Sequence, residues 1–212
     1  MGDLILVTGG ARSGKSRFAE LLAAHSGLPI TYIATAQIWD DEMADRVEKH
    51  RQSRPSTWNV IEEPIHIEET LLNLKENNGL ILLDCVTLWL TNLLLADSNP
   101  EKSPANDHPN TNTPTDKPFN SNPISIDESE ILNNVRRAAQ ITSQISPKVI
   151  FVTNEVGQGI VPDNPLARVY RDLAGRANQI LAEAASAVYF VVAGYPFEIK
   201  HQGQQLLNTL RS

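Results

Sequence analysis

Cysteine is nearly missing from this chain: the one thiol is Cys85. That excludes an internal disulfide framework and a cysteine-based zinc site, and it fits a reducing compartment. Long apolar runs are missing too, so no membrane span is expected. Positive charge is in the minority, with 18 Lys and Arg against 25 Asp and Glu, a formal net charge of −7. A general nucleic-acid binder draws its affinity largely from neutralising phosphates, so no nucleic-acid partner is expected. No secretory leader is recognisable, because the charged Asp3 comes almost at once. Leu6 stands where an N-myristoylation signal needs Ser or Thr. A cytoplasmic location is the expectation. The 212 residues suit one α/β domain, 1–212, with a sizeable core.

What is present is a phosphate-binding signature. Gly9-Gly10-Ala11-Arg12-Ser13-Gly14-Lys15-Ser16 fits G-x-x-x-x-G-K-[ST]. An apolar run, Leu4 to Thr8, precedes it and reads as a buried strand. Arg17 to Ala23 follows and reads as a helix. Glycines let the backbone curl so that successive N–H groups point inward at phosphate oxygens. The helix N-terminus adds its positive end. Lys15 is placed to reach the β- and γ-phosphates, and the Ser16 hydroxyl to ligate Mg²⁺. Gly79 to Asp84 is a second buried strand ending in a carboxylate. Asp84 therefore becomes the second candidate for holding Mg²⁺, through water, beside the P-loop.

The rest of the chain alternates strand and helix. Strands are expected at 30–35, 58–63, 148–153 and 187–192, with a short edge strand near 197–200. Helices are expected from Asp40 to just before Pro55, over 66–74, from Asp127 to about 145, and from Pro165 to about Ala185. Asn164 caps the last of these, with proline at the first helical position. Such alternation implies a mainly parallel sheet flanked by helices, with a ligand site at the strands' carboxyl ends. Thr35, Asp84 and Glu155 fall at those ends. Residues 97–125 differ: Pro100, Pro104, Pro109, Pro114, Pro118 and Pro123 lie among Asn, Ser, Thr, Asp and Lys. That composition buries too little surface to offset ordering entropy, so a disordered insertion is expected and no chemistry is assigned to it.

Lys15, Ser16 and Asp84 make a Mg-nucleotide clamp but do not name a reaction. Thr153-Asn154-Glu155-Val156 stands where a signalling GTPase carries Asn-Lys-x-Asp, which counts against that class. His50 is a sharper clue. Imidazole is largely neutral near pH 7 and attacks phosphorus competently. Lys49, Arg51 and Arg54 surround it, with charge suited to a triphosphate or an expelled pyrophosphate. From the residues alone, a surface helix histidine is the plainer reading and a nucleophile the alternative.

Several stretches together resemble the bifunctional adenosylcobinamide kinase / adenosylcobinamide-phosphate guanylyltransferase family of cobalamin synthesis. They are Ile5 to Ser16, Tyr32-Ile33-Ala34-Thr35-Ala36, and Arg46-x-x-x-His50-Arg51-x-x-Arg54-Pro55. Further on are Val152-Thr153-Asn154-Glu155-Val156-Gly157-x-Gly159-Ile160-Val161-Pro162 and Arg171-Asp172-x-Ala174-Gly175-Arg176-x-Asn178-Gln179. The resemblance implies a RecA-like P-loop NTPase fold and a trimer. It implies phosphorylation of adenosylcobinamide by ATP or GTP, then transfer of GMP from GTP to that phosphate through a GMP-histidine intermediate. His50 stands at the matching histidine. Nucleotide contacts are implied for the P-loop, for Ala34, Thr35 and Ala36, and for Arg51, Gln52, Ser53 and Arg54, with Glu62 and Asp84 added less directly. Glu155 is a candidate base for the kinase hydroxyl, against a plainer role accepting hydrogen bonds from loop amides. The competing class is a nucleotide-dependent switch without corrinoid chemistry.

Overall fold

A computed structural model describes residues 3–37, 55–97 and 127–211. The helix expected before Pro55, with His50, Arg51, Gln52, Ser53 and Arg54, lies outside these residues. So does nearly all of the Pro/Asn-rich insertion.

One seven-stranded sheet forms the centre. Its strands are β1 (Leu4–Gly9), β2 (Ile30–Ala34), β3 (Asn59–Glu62), β4 (Leu80–Asp84), β5 (Lys148–Val152), β6 (Ala187–Val192) and β7 (Tyr195–Glu198). The order across the sheet is β3-β2-β4-β5-β1-β6-β7. Every pairing is parallel except the last, the hairpin β6–β7. The mainly parallel sheet flanked by helices expected from the sequence is the architecture observed. The P-loop strand β1 is separated from the Asp84 strand β4 by the single strand β5.

The helices are α1 (Lys15–His25), α2 (Ile67–Asn73), α3 (Val86–Asp97), α4 (Glu128–Thr142), α5 (Pro165–Ala184) and α6 (Lys200–Arg211). Central strands are apolar at nearly every position because both of their faces are covered. Val7, Tyr32, Leu82, Ile150 and Val191 pack on one face with Ala19 and Ala23 of α1. Leu6, Ile33, Leu83 and Phe151 pack on the other with α2, α3, α4 and α5. Asn164 caps α5 as expected, its Oδ1 accepting from the N–H groups of Leu166 at 2.8 Å and Ala167 at 3.3 Å. The capping satisfies donors that have no partner inside the helix.

Two helices escape sequence reasoning. The sequence Val86-Thr87-Leu88-Trp89-Leu90-Thr91-Asn92-Leu93-Leu94-Leu95 is apolar nearly all round and so shows no amphipathic period; α3 is buried within the core. Its Trp89 is fully buried and donates from Nε1 to the Ile65 carbonyl at 2.9 Å. The C-terminal α6 buries no residue. Its first residue was expected to belong to the edge strand, which instead ends at Glu198. Lys200 leaves that strand and donates from Nζ to the carbonyls of Ala182 and Glu183 at 2.9 Å each, and to that of Ala185. A cation thus closes the carbonyl end of α5, where the helix dipole favours positive charge.

Candidate nucleotide site

Strand β1 leads into α1 on one face of the sheet, and its neighbour β5 leads into α5 on the other. Adjacent parallel strands whose connections depart to opposite faces open a crevice at their carboxyl ends. The P-loop and the segment after β5 form its two sides. They are joined at the base, where the N–H groups of Thr153 and Glu155 donate to the carbonyls of Val7 (2.9 Å) and Gly9 (3.0 Å).

The P-loop is shaped by local backbone demands. Gly14 sits at φ +94° and caps α1 without any side-chain partner, and no acid stands in the helix's first turn. The first amides of α1 are thus left to an external anion. Gly9 is paired with Val191 of β6. A Cβ there would lie 2.5 Å from the Val191 carbonyl oxygen and 2.7 Å from Ser13 Oγ. Lys15 is buried to 9% exposure and its Nζ donates back to the Gly10 carbonyl at 3.2 Å. The buried hydroxyls of Ser13 and Thr8 have no hydrogen-bond partner among the described residues. An orphaned Ser13 hydroxyl inside the loop fits a phosphate oxygen as its missing partner.

The hairpin β6–β7 braces the loop from outside. Ala193 and Gly194 turn at φ +51° and +85°, the two positive dihedrals of a tight two-residue connection. The Gly194 N–H donates to the Ser13 carbonyl at 2.8 Å, just before Lys15. Sequence reasoning missed this brace, although Ala193-Gly194 between two apolar runs is a hairpin signal.

Register aligns the other candidates in one row along the carboxyl edge. Glu62 is partnered with Ala34, Ala34 with Asp84, and Asp84 with Val152. Asp84 is half-buried and Glu62 exposed. The thiol of Cys85, next to Asp84, is pushed up to about 11 by burial, with the Asp84 charge adding to the rise and the Lys15 ammonium opposing it. The register row continues from Asp84 through Val152 to Val7, so Asp84 stands two strands from the P-loop strand at the same level of the carboxyl edge. Ser16, on the first turn of α1, is half-buried beside Lys15. A lysine, a hydroxyl and a carboxylate at the same sheet edge as uncapped amides are a donor set that suits a metal-bound polyphosphate.

Thr35 is placed at this edge but faces inward. It is fully buried; its hydroxyl donates to the Cys85 carbonyl and accepts from the Cys85 N–H, each at 2.8 Å. Its carbonyl accepts from Asn92 Nδ2 at 2.8 Å. Its side chain therefore holds the corner after β4, and Ala34 and Ala36 flank it in the chain. Glu155 is half-buried, and its Oε1 accepts from the Gly157 N–H at 2.6 Å. That contact is the plainer of the two roles expected for it.

A sequence model of the family described as cobinamide kinase / cobinamide phosphate guanyltransferase matches residues 5–199 of this chain. The bifunctional adenosylcobalamin biosynthesis protein CobU of Escherichia coli (strain K12) is 43% identical over 197 residues, covering 93% of this chain and 99% of that protein. The corresponding protein CobP of Pseudomonas aeruginosa is 42% identical over 201 residues, covering 94% and 98%. Among solved structures, the RadB recombinase aligns over 89% of this chain and 74% of its own, with a TM-score of 0.44 and 16% identity.

Proposed function

The chain belongs to the cobinamide kinase / cobinamide phosphate guanyltransferase family, and on that premise we propose that it carries out both transfers with the crevice described above. It is a bifunctional transferase of cobalamin biosynthesis. In the first reaction a hydroxyl oxygen of adenosylcobinamide attacks the γ-phosphorus of ATP or GTP. The bond to the β-phosphate oxygen breaks, and the hydroxyl proton is lost to a base. The amides of the P-loop, with Lys15, hold the β- and γ-phosphates and offset charge on the departing diphosphate. The observation that carries the reading is the uncapped, acid-free start of α1 with the orphaned Ser13 hydroxyl inside the loop, in register with Asp84 across one strand.

Mg²⁺ fits this donor set, with Ser16 and Asp84 as the residues to hold it. When bound, it neutralises charge on the phosphates and orients them. Gly9, Gly10, Ala11, Arg12, Ser13 and Gly14 cradle the phosphates. Ala34, Ala36 and Glu62 line the neighbouring carboxyl edge, with Thr35 fixing the backbone between the two alanines. Arg51, Gln52, Ser53 and Arg54 complete the nucleotide contacts.

In the second reaction a ring nitrogen of His50 attacks the α-phosphorus of GTP, and pyrophosphate leaves. A phosphate oxygen of adenosylcobinamide phosphate then displaces the imidazole, giving adenosylcobinamide-GDP. Covalent catalysis lets pyrophosphate depart before the bulky corrinoid phosphate attacks. Two in-line displacements give net retention at phosphorus. The reaction belongs in the cytoplasm, where ATP and GTP are available. A homo-oligomer, a trimer by resemblance, accounts for the apolar edge left by Tyr195 (72% exposed), Phe197 (60%) and Leu210 (74%).

The test is incubation with Mg²⁺ and GTP labelled at the α-phosphate, beside a His50→Ala variant. Acid-labile, alkali-stable label is expected on wild type and absent from the variant. Label persisting on the variant would move the nucleophile elsewhere. No label on folded, GTP-binding wild type would overturn the transferase half of the reading.

A further inference from the structure

The last rung between β4 and β5 pairs Asp84 with Val152. Beyond it the two chains part. After Asp84 and Cys85 the chain turns into α3 at Val86, while the chain after β5 runs on beside the P-loop as far as Glu155. Backbone pairing no longer sets the distance between the Asp84 corner and the Glu155 segment. Asn154 spans the gap: its Nδ2 donates to Thr87 Oγ1 at 2.6 Å and makes a longer contact to Cys85 Sγ at 4.0 Å. Both ends are anchored. Thr87 is 3% exposed, and its carbonyl accepts from the Tyr170 hydroxyl at 3.0 Å. On the other side Asn178 Nδ2 donates to the Asn154 carbonyl at 3.0 Å, while Asn178 Oδ1 accepts from the Thr153 hydroxyl at 2.7 Å.

We propose that the Thr87–Asn154 hydrogen bond, backed by Asn178 of α5, is a brace that sets the Asp84 carboxylate relative to the P-loop and Glu155, and that Thr87 and Asn154 are positioning residues for phosphoryl transfer. The proposal rests on the reading above that Asp84 serves the phosphates. Its logic is geometric. Thr87 stands three residues after Asp84 on the same tight corner, and Asn154 directly precedes Glu155. A bond between them transmits the position of one side of the crevice to the other. Because a displacement of about 1 Å can cost on the order of a hundredfold in rate, loosening this brace is expected to lower turnover more than nucleotide binding, which the P-loop amides dominate.

The experiment compares Thr87→Val, Thr87→Ser, Asn154→Ala and the Thr87→Val/Asn154→Ala double variant. The readouts are kinase kcat, the KM for cobinamide and the Kd for nucleotide. Each single loss of the bond is expected to lower kcat about tenfold or more, with nucleotide Kd changed less than about twofold. The double variant is expected to be no worse than either single one, because one shared bond is lost once. Thr87→Ser, which keeps the acceptor oxygen, is expected to stay within about threefold of wild type. Unchanged kcat in Asn154→Ala, or additive losses in the double variant, would overturn the brace. So would a loss of kcat that follows nucleotide affinity or thermal stability. Should Thr87→Val fail to fold, the half-buried Asn154→Ala and the Thr87→Ser control decide alone. A wild-type protein that binds nucleotide but transfers no phosphoryl group would instead overturn the function proposed above.

Discussion

Replacing Gly9 by alanine tests how the sheet dictates the shape of the P-loop. The new Cβ would stand 2.5 Å from the Val191 carbonyl oxygen and 2.7 Å from Ser13 Oγ, where real Cβ atoms essentially never come within 3.0 Å of a neighbour. Val191 is held in the β1–β6 ladder, whose paired residues run from Ile5 to Gly9. The loop lies outside that ladder and is held by the Ser13 N–H and Lys15 Nζ on the Gly10 carbonyl, at 3.3 and 3.2 Å, and by the Gly194 contact. The loop is therefore the part that moves. Overpacking of this kind costs about 1–3 kcal/mol. For a chain of this size that is a fall in Tm of roughly 2–12 °C. If the loop takes the displacement, its amides leave the phosphate oxygens, and nucleotide affinity falls by about 5- to 150-fold. The assay is thermal unfolding together with titration of a fluorescent guanine nucleotide. Gly10→Ala is the control, because a Cβ at Gly10 meets no atom within 4 Å, so its Tm is expected to stay at the wild-type value. A Gly9→Ala protein with wild-type Tm and affinity would refute the clash. A Gly10→Ala protein destabilised as much as Gly9→Ala would refute its localisation.

Two further outcomes are expected. Lys200→Ala removes the cation that closes the carbonyl end of α5 and should cost about 1–2 kcal/mol in denaturant unfolding, while Lys200→Arg retains part of it; an unchanged midpoint would show that water serves those carbonyls equally well. The Cys85 thiol is held protonated by burial, with a pKa raised from 9.0 to about 11, so the stability it contributes is intact below pH 9.0 and is lost as pH rises towards about 11. Unfolding midpoints measured from pH 7 to 11 should show that loss in wild type and less of it in Cys85→Ala; identical profiles would remove the thiol as the cause.

The phosphate end of the site was legible in the sequence because it is built from consecutive residues. Gly9 to Ser16 form the loop by their own backbone preferences, and a buried strand must precede and a helix follow them. Asp84 was legible for a similar reason: an apolar run broken by one carboxylate marks where a strand leaves the core. Helices α4 and α5 were readable as well, α5 with its Asn164 cap before Pro165, since local sequence suffices to mark a helix start. Helix α3 was not, because its sequence is apolar nearly all round and carries no period. Nor was α6, none of whose residues is buried.

What tertiary structure alone decided is which distant side chains meet. Thr35 lies 50 residues from Cys85 and Asn154 lies 67 from Thr87, and only the order β2-β4-β5-β1 brings their strand ends side by side. The same order sets the Thr35 hydroxyl against the backbone of Cys85, where it holds the Asp84 corner. It also carries Gly194, from the far end of the chain, onto the carbonyl of Ser13. Local sequence determines the conformation of each segment because backbone preferences act over a few residues. Hydrogen bonds between strand ends depend on how the sheet is threaded, and that is settled by burying all of its apolar faces at once.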